Sequence, residues 1–279
     1  MAYVAYDNSL GVTDLTIPDS VDPGFVNLVT GTGSGRLVFP GETYRGYDAN
    51  LRSGGEFIYA KNTTANVTGQ TISSGTYAAA TGLVTITTGS AHGMLPGATV
   101  IMVGQVPSAY VGTYTVSTVP STTTFTYVPA SIPSGAITTV GTYTNSFIQP
   151  GHVCEFTYGL SSGQATLVAT PWTSTTLQGK SLAVAITPLL LNQWGWFQIE
   201  GFAVTAVISG QTPAAGNRIY GGAVNGFSTP TAVLSAQMVN ATYASAVSQT
   251  IGTGNSTVVL NAQQALVFLN RPFAQGAIT

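Results

Sequence analysis

The sequence predicts an all-β fold: a β-sandwich or barrel core interrupted by an inserted small β-sandwich-like domain. Three observations carry this. Apolar residues recur in short alternating runs and almost never at helical spacing. Those runs are punctuated by Asn, Ser, Pro and Gly, with 33 Gly and 14 Pro among 279 residues. Only 6% of residues are charged while 44% are hydrophobic, against a usual charged share of about 25%. That balance argues against disorder and suits strands whose solvent faces are covered by Thr, Ser and Asn.

The charges are unevenly placed. Residues 1–61 hold seven of the nine acids (Asp7, Asp14, Asp19, Asp22, Glu42, Asp48, Glu56) and four of the seven bases (Arg36, Arg45, Arg52, Lys61). The start, "MAYVAYDNSLG", has neither a charged leader nor an apolar core, so no secretion signal is expected. The stretch "DNSLGVTDLTIPDSVDPGFVNLVTGTGSGRL" reads as extended chain, of the kind that lies along a neighbour's sheet. Its charges make it a candidate docking arm. "EFIYAK" (56–61) is the first strong strand.

Between Lys61 and Glu155 no residue carries a formal charge. A composition shift with two edges marks an insertion, bordered near 67 and 146. The expected domains are therefore a discontinuous core, 1–66 with 147–279, and a neutral module, 67–146, projecting outward. Within the module, "LVTIT" (83–87), "TVIMV" (99–103), "TYTVSTV" (113–119) and "TFTYV" (124–128) read as strands. His92-Gly93 and Pro96-Gly97 punctuate the first connection, and Pro107 and Gly112 bracket the next. Tyr114 and Val116 alternate with Thr, as do Phe125 and Tyr127, so each strand buries one face. Hydroxyls and exposed backbone suffice to keep such a module soluble, and a neutral surface avoids repulsion between crowded copies.

After the module come "HVCEFTY" (152–158), "WFQIEG" (196–201) and "AVTAVIS" (203–209), all read as strands. The most apolar run, "SLAVAITPLLLNQWGWFQIEGFAVTAVISG", is broken by Pro188, Gln193, Gln198 and Glu200. A membrane helix needs about 20 mostly apolar residues without such breaks, so this is buried β-structure. "NAQQALVFLN" (261–270) is the best helical candidate and reads equally well as a strand.

Candidate chemistry is sparse. Seven scattered bases cannot neutralise a phosphate backbone, which excludes nucleic acid. Membrane-surface binding lacks a basic amphipathic helix. The single cysteine, Cys154, precludes an internal disulfide. His92 reads as a turn residue capping local backbone groups, with a catalytic base as the alternative. His152 and Cys154, two apart, share a strand face. A nucleophile–base pair or half a metal site would need further ligands that the sequence does not offer, which leaves a buried cysteine acting as a small hydrophobe. "GTGSGR" (31–36) lacks the lysine and the following helix of a phosphate loop. The Asn-x-Thr sequences at Asn62, Asn66, Asn240 and Asn255 are chance matches in a Thr-rich chain. Trp194 and Trp196 face one way along a strand and Phe197 and Ile199 the other. Loading on both faces points to core or a subunit interface; stacking on a sugar is the alternative. No cofactor and no metal are expected.

Two sets of segments resemble known families. Residues Val84–Thr87, His92–Met94, Gly97–Met102, Tyr110–Val116 and Thr123–Tyr127 follow the pattern T-V-T, H-G-[LM], G-x-x-V-x-[IM], Y-x-G-x-Y-x-V, T-x-F-x-Y. This resembles a small β module that recurs in bacteriophage structural proteins, and it implies a fold without implying chemistry. "GGEFIYAK" (54–61), "SFIQPGHVCEFTY" (146–158), "KSLAVAITPLLLNQWGWFQIEGFAVTAVISG" (180–210) and "TAVLSAQMVN" (231–240) resemble phage head decoration, or cement, proteins. Trp194 stands where that pattern has Tyr.

The resemblance implies a non-enzymatic virion protein, made in the host cytoplasm and located on the outer surface of the capsid. Its partners would be the major capsid protein and itself, as a symmetric homo-oligomer with a trimer ahead of a dimer. Candidate capsid or subunit contacts are Asp7, Asp14, Asp19, Asp22, Arg36, Arg45, Arg52, Trp194 and Trp196. A tail-fibre or baseplate component binding host glycans is the alternative. A β-rich hydrolase, with two carboxylates meeting from distant sequence positions, ranks third.

Overall fold

The computed structural model describes residues 3–5, 43–48, 53–161, 164–173, 178–253 and 256–275. These residues form strands joined by turns, with one short 3-10 turn at Ser108–Tyr110. The all-β class expected from the sequence is the one observed. The chain divides into two compact units. One comprises 1–63, 151–187 and 192–279; the other comprises 64–150 and 188–191. The inserted unit is thus close to the expected 67–146, and it also takes in Pro188–Leu191, whose Leu189 N–H donates to the Ile148 carbonyl at 3.0 Å.

The inserted unit is a closed barrel of six strands: β4 (Val67–Ala78), β5 (Leu83–Thr88), β6 (Thr99–Val103), β7 (Gly112–Ser121), β8 (Thr124–Tyr127) and β9 (Thr142–Asn145). They pair in the order β4-β5-β8-β7-β6-β9 and close on β4, always antiparallel. The expected sandwich-like packing therefore takes the form of a barrel, which leaves no free sheet edge. Alternation does the sorting. In β5, Val84, Ile86 and Thr88 are buried while Leu83, Thr85 and Thr87 are half-exposed. Val84, Ile86, Val100, Met102, Val116, Phe125, Tyr127 and Tyr143 fill the interior. Tyr114 stacks on Tyr127 with ring centroids 4.3 Å apart.

The other unit is a sheet of eleven strands. It contains β1 (Tyr3–Ala5), β2 (Thr43–Asp48), β3 (Ser53–Asn62), β10 (Val153–Ser161), β11 (Gln164–Pro171), β12 (Leu182–Ala185), β13 (Trp194–Ala206), β14 (Arg218–Gly221), β15 (Ser228–Thr229), β16 (Gln237–Tyr243) and β19 (Gln264–Ala274). A separate hairpin, β17 (Thr250–Thr253) with β18 (Ser256–Val259), places Val258 against Val204 and Leu266. The order is β1-β2-β3-β11-β10-β12-β13-β19-β16-β14-β15, with β3 also paired to β13. That extra pairing closes a circuit, β3-β11-β10-β12-β13 and back to β3. The one parallel contact in it joins β3 and β11 at Lys61–Val168 and Asn62–Ala169.

β13 is the strand on which the circuit turns. Its first half pairs with β3 on one edge and β12 on the other; its second half pairs with β19. Two strands expected at 196–201 and 203–209 are thus one continuous element. Gly201, the last residue of the first run, sits at φ +92° beyond a register shift between Gln198 and Glu200. A Cβ at Gly201 would collide with the Gly54 carbonyl, so glycine permits the close approach of β3. The buried Gln198 amide secures the bulge by donating to the carbonyls of Glu200 (3.0 Å) and Phe202 (2.9 Å). The segment 261–270 forms a turn and most of β19; it is strand and not helix.

Candidate functional site

Three groups capable of chemistry are committed to the fold. His92 is 7% exposed. Its Nδ1 accepts from the Met94 N–H at 2.9 Å, and its ring meets Phe125 edge-on at 5.5 Å. This is the turn cap expected from "SAHGM". Burial lowers its pKa, opposed by the backbone carbonyls of Thr124 and Ser121. His152 and Cys154 are both buried. The His152 ring lies 5.0 Å from that of Phe227 and would touch any Cβ at Gly226. Cys154, facing Pro171 and Ala183 on the flanking strands, has its thiol pKa pushed up, first by burial and then by Glu155. A thiol held protonated is a poor nucleophile. Among the described residues, no cluster of three or more His, Cys, Asp or Glu is arranged to hold a metal ion.

Trp194 and Trp196 are 1% and 0% exposed. Proposed above as contacts, both are buried and present no surface to a partner. Tyr59, opposite Trp196 on β3, stacks on Trp194 at 5.6 Å and lies 4.9 Å from Trp196. On the opposite face of β13, Phe197 meets Phe156 edge-on at 5.2 Å. The two-sided loading read from the sequence is that of a strand between two packed layers.

Of the remaining candidate contacts, Asp7, Asp14, Asp19, Asp22, Arg36 and Arg52 lie outside the described residues, as does "GTGSGR". Arg45 is exposed on β2, and the register around it builds the feature of interest. Arg45 is opposite Glu56, Glu56 is opposite Glu200, and Glu200 is opposite Asn270. Directly opposed residues share a sheet face, so β2, β3, β13 and β19 carry one continuous polar row. Two like charges opposed across a sheet are unfavourable. Arg271 resolves the conflict: its Nη2 binds both Glu56 oxygens, one at 2.6 Å, and its Nε is 3.9 Å from Glu200. Arg271 reaches this position through a left-handed backbone, φ +48°, where five residues of β19 (269–273) span three of β16 (239–241).

Beside this row, Phe202 and Phe268 face each other across β13 and β19 with rings 5.3 Å apart. Both are exposed, as is Phe273 further along β19. The structure therefore assembles an aromatic pair, an exposed arginine and two carboxylates on one outer sheet face. Aromatics and arginine are the residue types that protein interfaces favour. The sequence signal for this face was Glu200 and Phe202, two apart on a strand; dividing the strand at Phe202 concealed it. The two carboxylates share one guanidinium, an arrangement that holds them in an ion pair and does not pose them as an acid and a base around a substrate.

No helix among the described residues is long and apolar enough to cross a membrane. Comparison of the chain with protein-family models, with curated proteins and with solved structures finds no match.

Proposed function

We propose that this protein is a structural component of a bacteriophage virion that binds the outer surface of the capsid and bridges neighbouring subunits of the major capsid protein. The observation that carries the reading is the outer face of β13 and β19, where Phe202 and Phe268 lie beside the Glu56–Arg271–Glu200 cluster. Such a face is suited to docking: an aromatic centre excludes water, and a rim of paired charges sets orientation.

Two further features support it. The segments that resemble decoration proteins around β3, β10 and β13 all belong to one closed circuit, in which β3 pairs directly with β13. They act as one structural unit despite the interruption. In addition, His92, His152 and Cys154 serve packing and capping, consistent with a protein that works by binding and performs no bond chemistry. The glycan-binding alternative used the Trp194–Trp196 pair as its stacking platform, and the burial of both rings removes that support.

In this reading, stabilisation arises by linkage. Only the assembled shell offers the site, so each bound copy favours the assembled state. A homotrimer would match the local symmetry of a capsid lattice. The test is to add purified protein to empty heads and follow shell melting by calorimetry. Saturable binding and a raised melting temperature are expected. A Phe202→Ser/Phe268→Ser variant should weaken binding by about 2 kcal/mol or more, the scale of an interface hot spot. Absence of binding, or no shift in melting, would overturn the proposal.

A further inference from the structure

We infer that one end of the inserted barrel is a contact surface for a second copy of this chain. The inference is independent of the capsid reading. Strand directions define the two ends. β4, β6 and β8 run toward one end, where the connections 79–82, 104–111 and 128–141 lie. The chain enters at Val67 and leaves at Asn145 at the opposite end, where those two residues pair. Within residues 64–150 the exposed large hydrophobic side chains are Val103, Val106, Val111, Val128, Ile132 and Val140. All six belong to the far end. Ile132 is 76% exposed and Val128 62%.

Hydrogen bonds tie the connections of this end together. The Val106 N–H donates to the Thr139 carbonyl at 3.2 Å and the Thr138 N–H to the Val106 carbonyl at 2.8 Å. Gln105 Nε2 donates to the Thr142 carbonyl at 2.9 Å. The Tyr110 hydroxyl donates to the Gly135 carbonyl at 2.7 Å.

The chemistry of the surface selects its occupant. No formal charge lies between Lys61 and Glu155, so a charged partner would be desolvated here without compensation. A sugar would want an exposed aromatic ring to stack on, whereas at this end Tyr110, Tyr114 and Tyr127 are buried and Tyr77 is half-buried against the barrel core. A second copy presents the same neutral, aliphatic surface and meets no like charge, which gives a self-complementary two-fold contact. The barrel has no open edge, so the contact is made by side chains and not by strand addition. Six apolar side chains are far fewer than the roughly 20–30 residues per side of a standard interface. The contact is therefore a weak one, which matters where copies are crowded.

The burial of Cys154, the chain's one cysteine, makes a clean test possible on the full chain. Ser134→Cys places a thiol at the apolar end, and Ser90→Cys places one at the opposite end; both serines are exposed. With a short bismaleimide, Ser134→Cys should give covalent dimer at about ten times the yield of Ser90→Cys, because a docked pair raises the effective thiol concentration. Adding Ile132→Asp, or Val128→Asp if the first variant misfolds by circular dichroism, should return the yield to the Ser90→Cys level. Equal yields from the two ends, or a high yield insensitive to both aspartates, would overturn the inference. Binding of the wild-type chain to phosphatidylcholine vesicles that is lost with Ile132→Asp would also overturn it, in favour of a lipid surface.

Discussion

At Arg271 one guanidinium answers two carboxylates that strand register forces together. Glu56 is nearly buried, while Arg271 is largely exposed, so solvent screens the pair in part. Arg271→Ala should destabilise the protein by about 1–2 kcal/mol, less than for a fully buried pair. A lowered urea midpoint at unchanged m would show this, and Glu56→Gln in the same background should recover part of the loss. His92 gives a pH-dependent counterpart. Its folded pKa lies below the ordinary 6.5 because burial disfavours the imidazolium. Its contribution is therefore complete above the unfolded value and drains away as pH falls through the lowered folded value. The stability gap between wild type and His92→Gln should narrow from pH 7 to pH 5, as read by thermal melts; a constant gap would contradict it. The role of His92 was legible because a turn signal and its cap lie within three residues. The Glu56–Arg271 pair was not, since 215 positions separate the partners and register alone unites them.

At the scale of the element, β13 explains why continuous strands can look interrupted. Gly201 reads as punctuation in sequence, yet it lies within a strand that pairs on both edges. Gly201→Ala combines an unfavourable φ of +92° with a clash against the β3 backbone. A loss of about 2–4 kcal/mol is expected, larger than for Gly82→Ala, which has a similar φ of +70° but open space around it. Parallel chemical denaturation of the two variants would separate clash from conformational strain. Segment 261–270 teaches the complementary point. Ala, Leu and Gln favour helix weakly, and pairing with β13 and β16 outweighs that preference.

On the scale of the whole molecule, the division into two units yields a prediction about folding. The barrel closes on itself, and its two chain ends pair at Val67 and Asn145. Residues 64–150 should therefore fold alone and unfold in a single cooperative transition, without the contribution of Pro188–Leu191. Slow amide exchange at Val84, Val100 and Tyr127 would verify it; a fragment without protected amides would refute it. The complementary chain, with a short Gly-Ser link across the excision, should retain the β3–β13 circuit.

The sequence by itself determined the all-β class, the alternating core of the barrel, and the two edges of the neutral insertion, because period-two burial and composition are local properties that neighbours cannot alter. It also marked β13 as buried on both faces through its alternating Trp and Phe residues. Only the tertiary structure decided that the insert closes as a barrel, that β3 returns to β13 to complete a circuit, and which charges and aromatics share an outer face. Those outcomes depend on register between strands distant in the chain, and a one-residue slip would send every such side chain to the other side of the sheet.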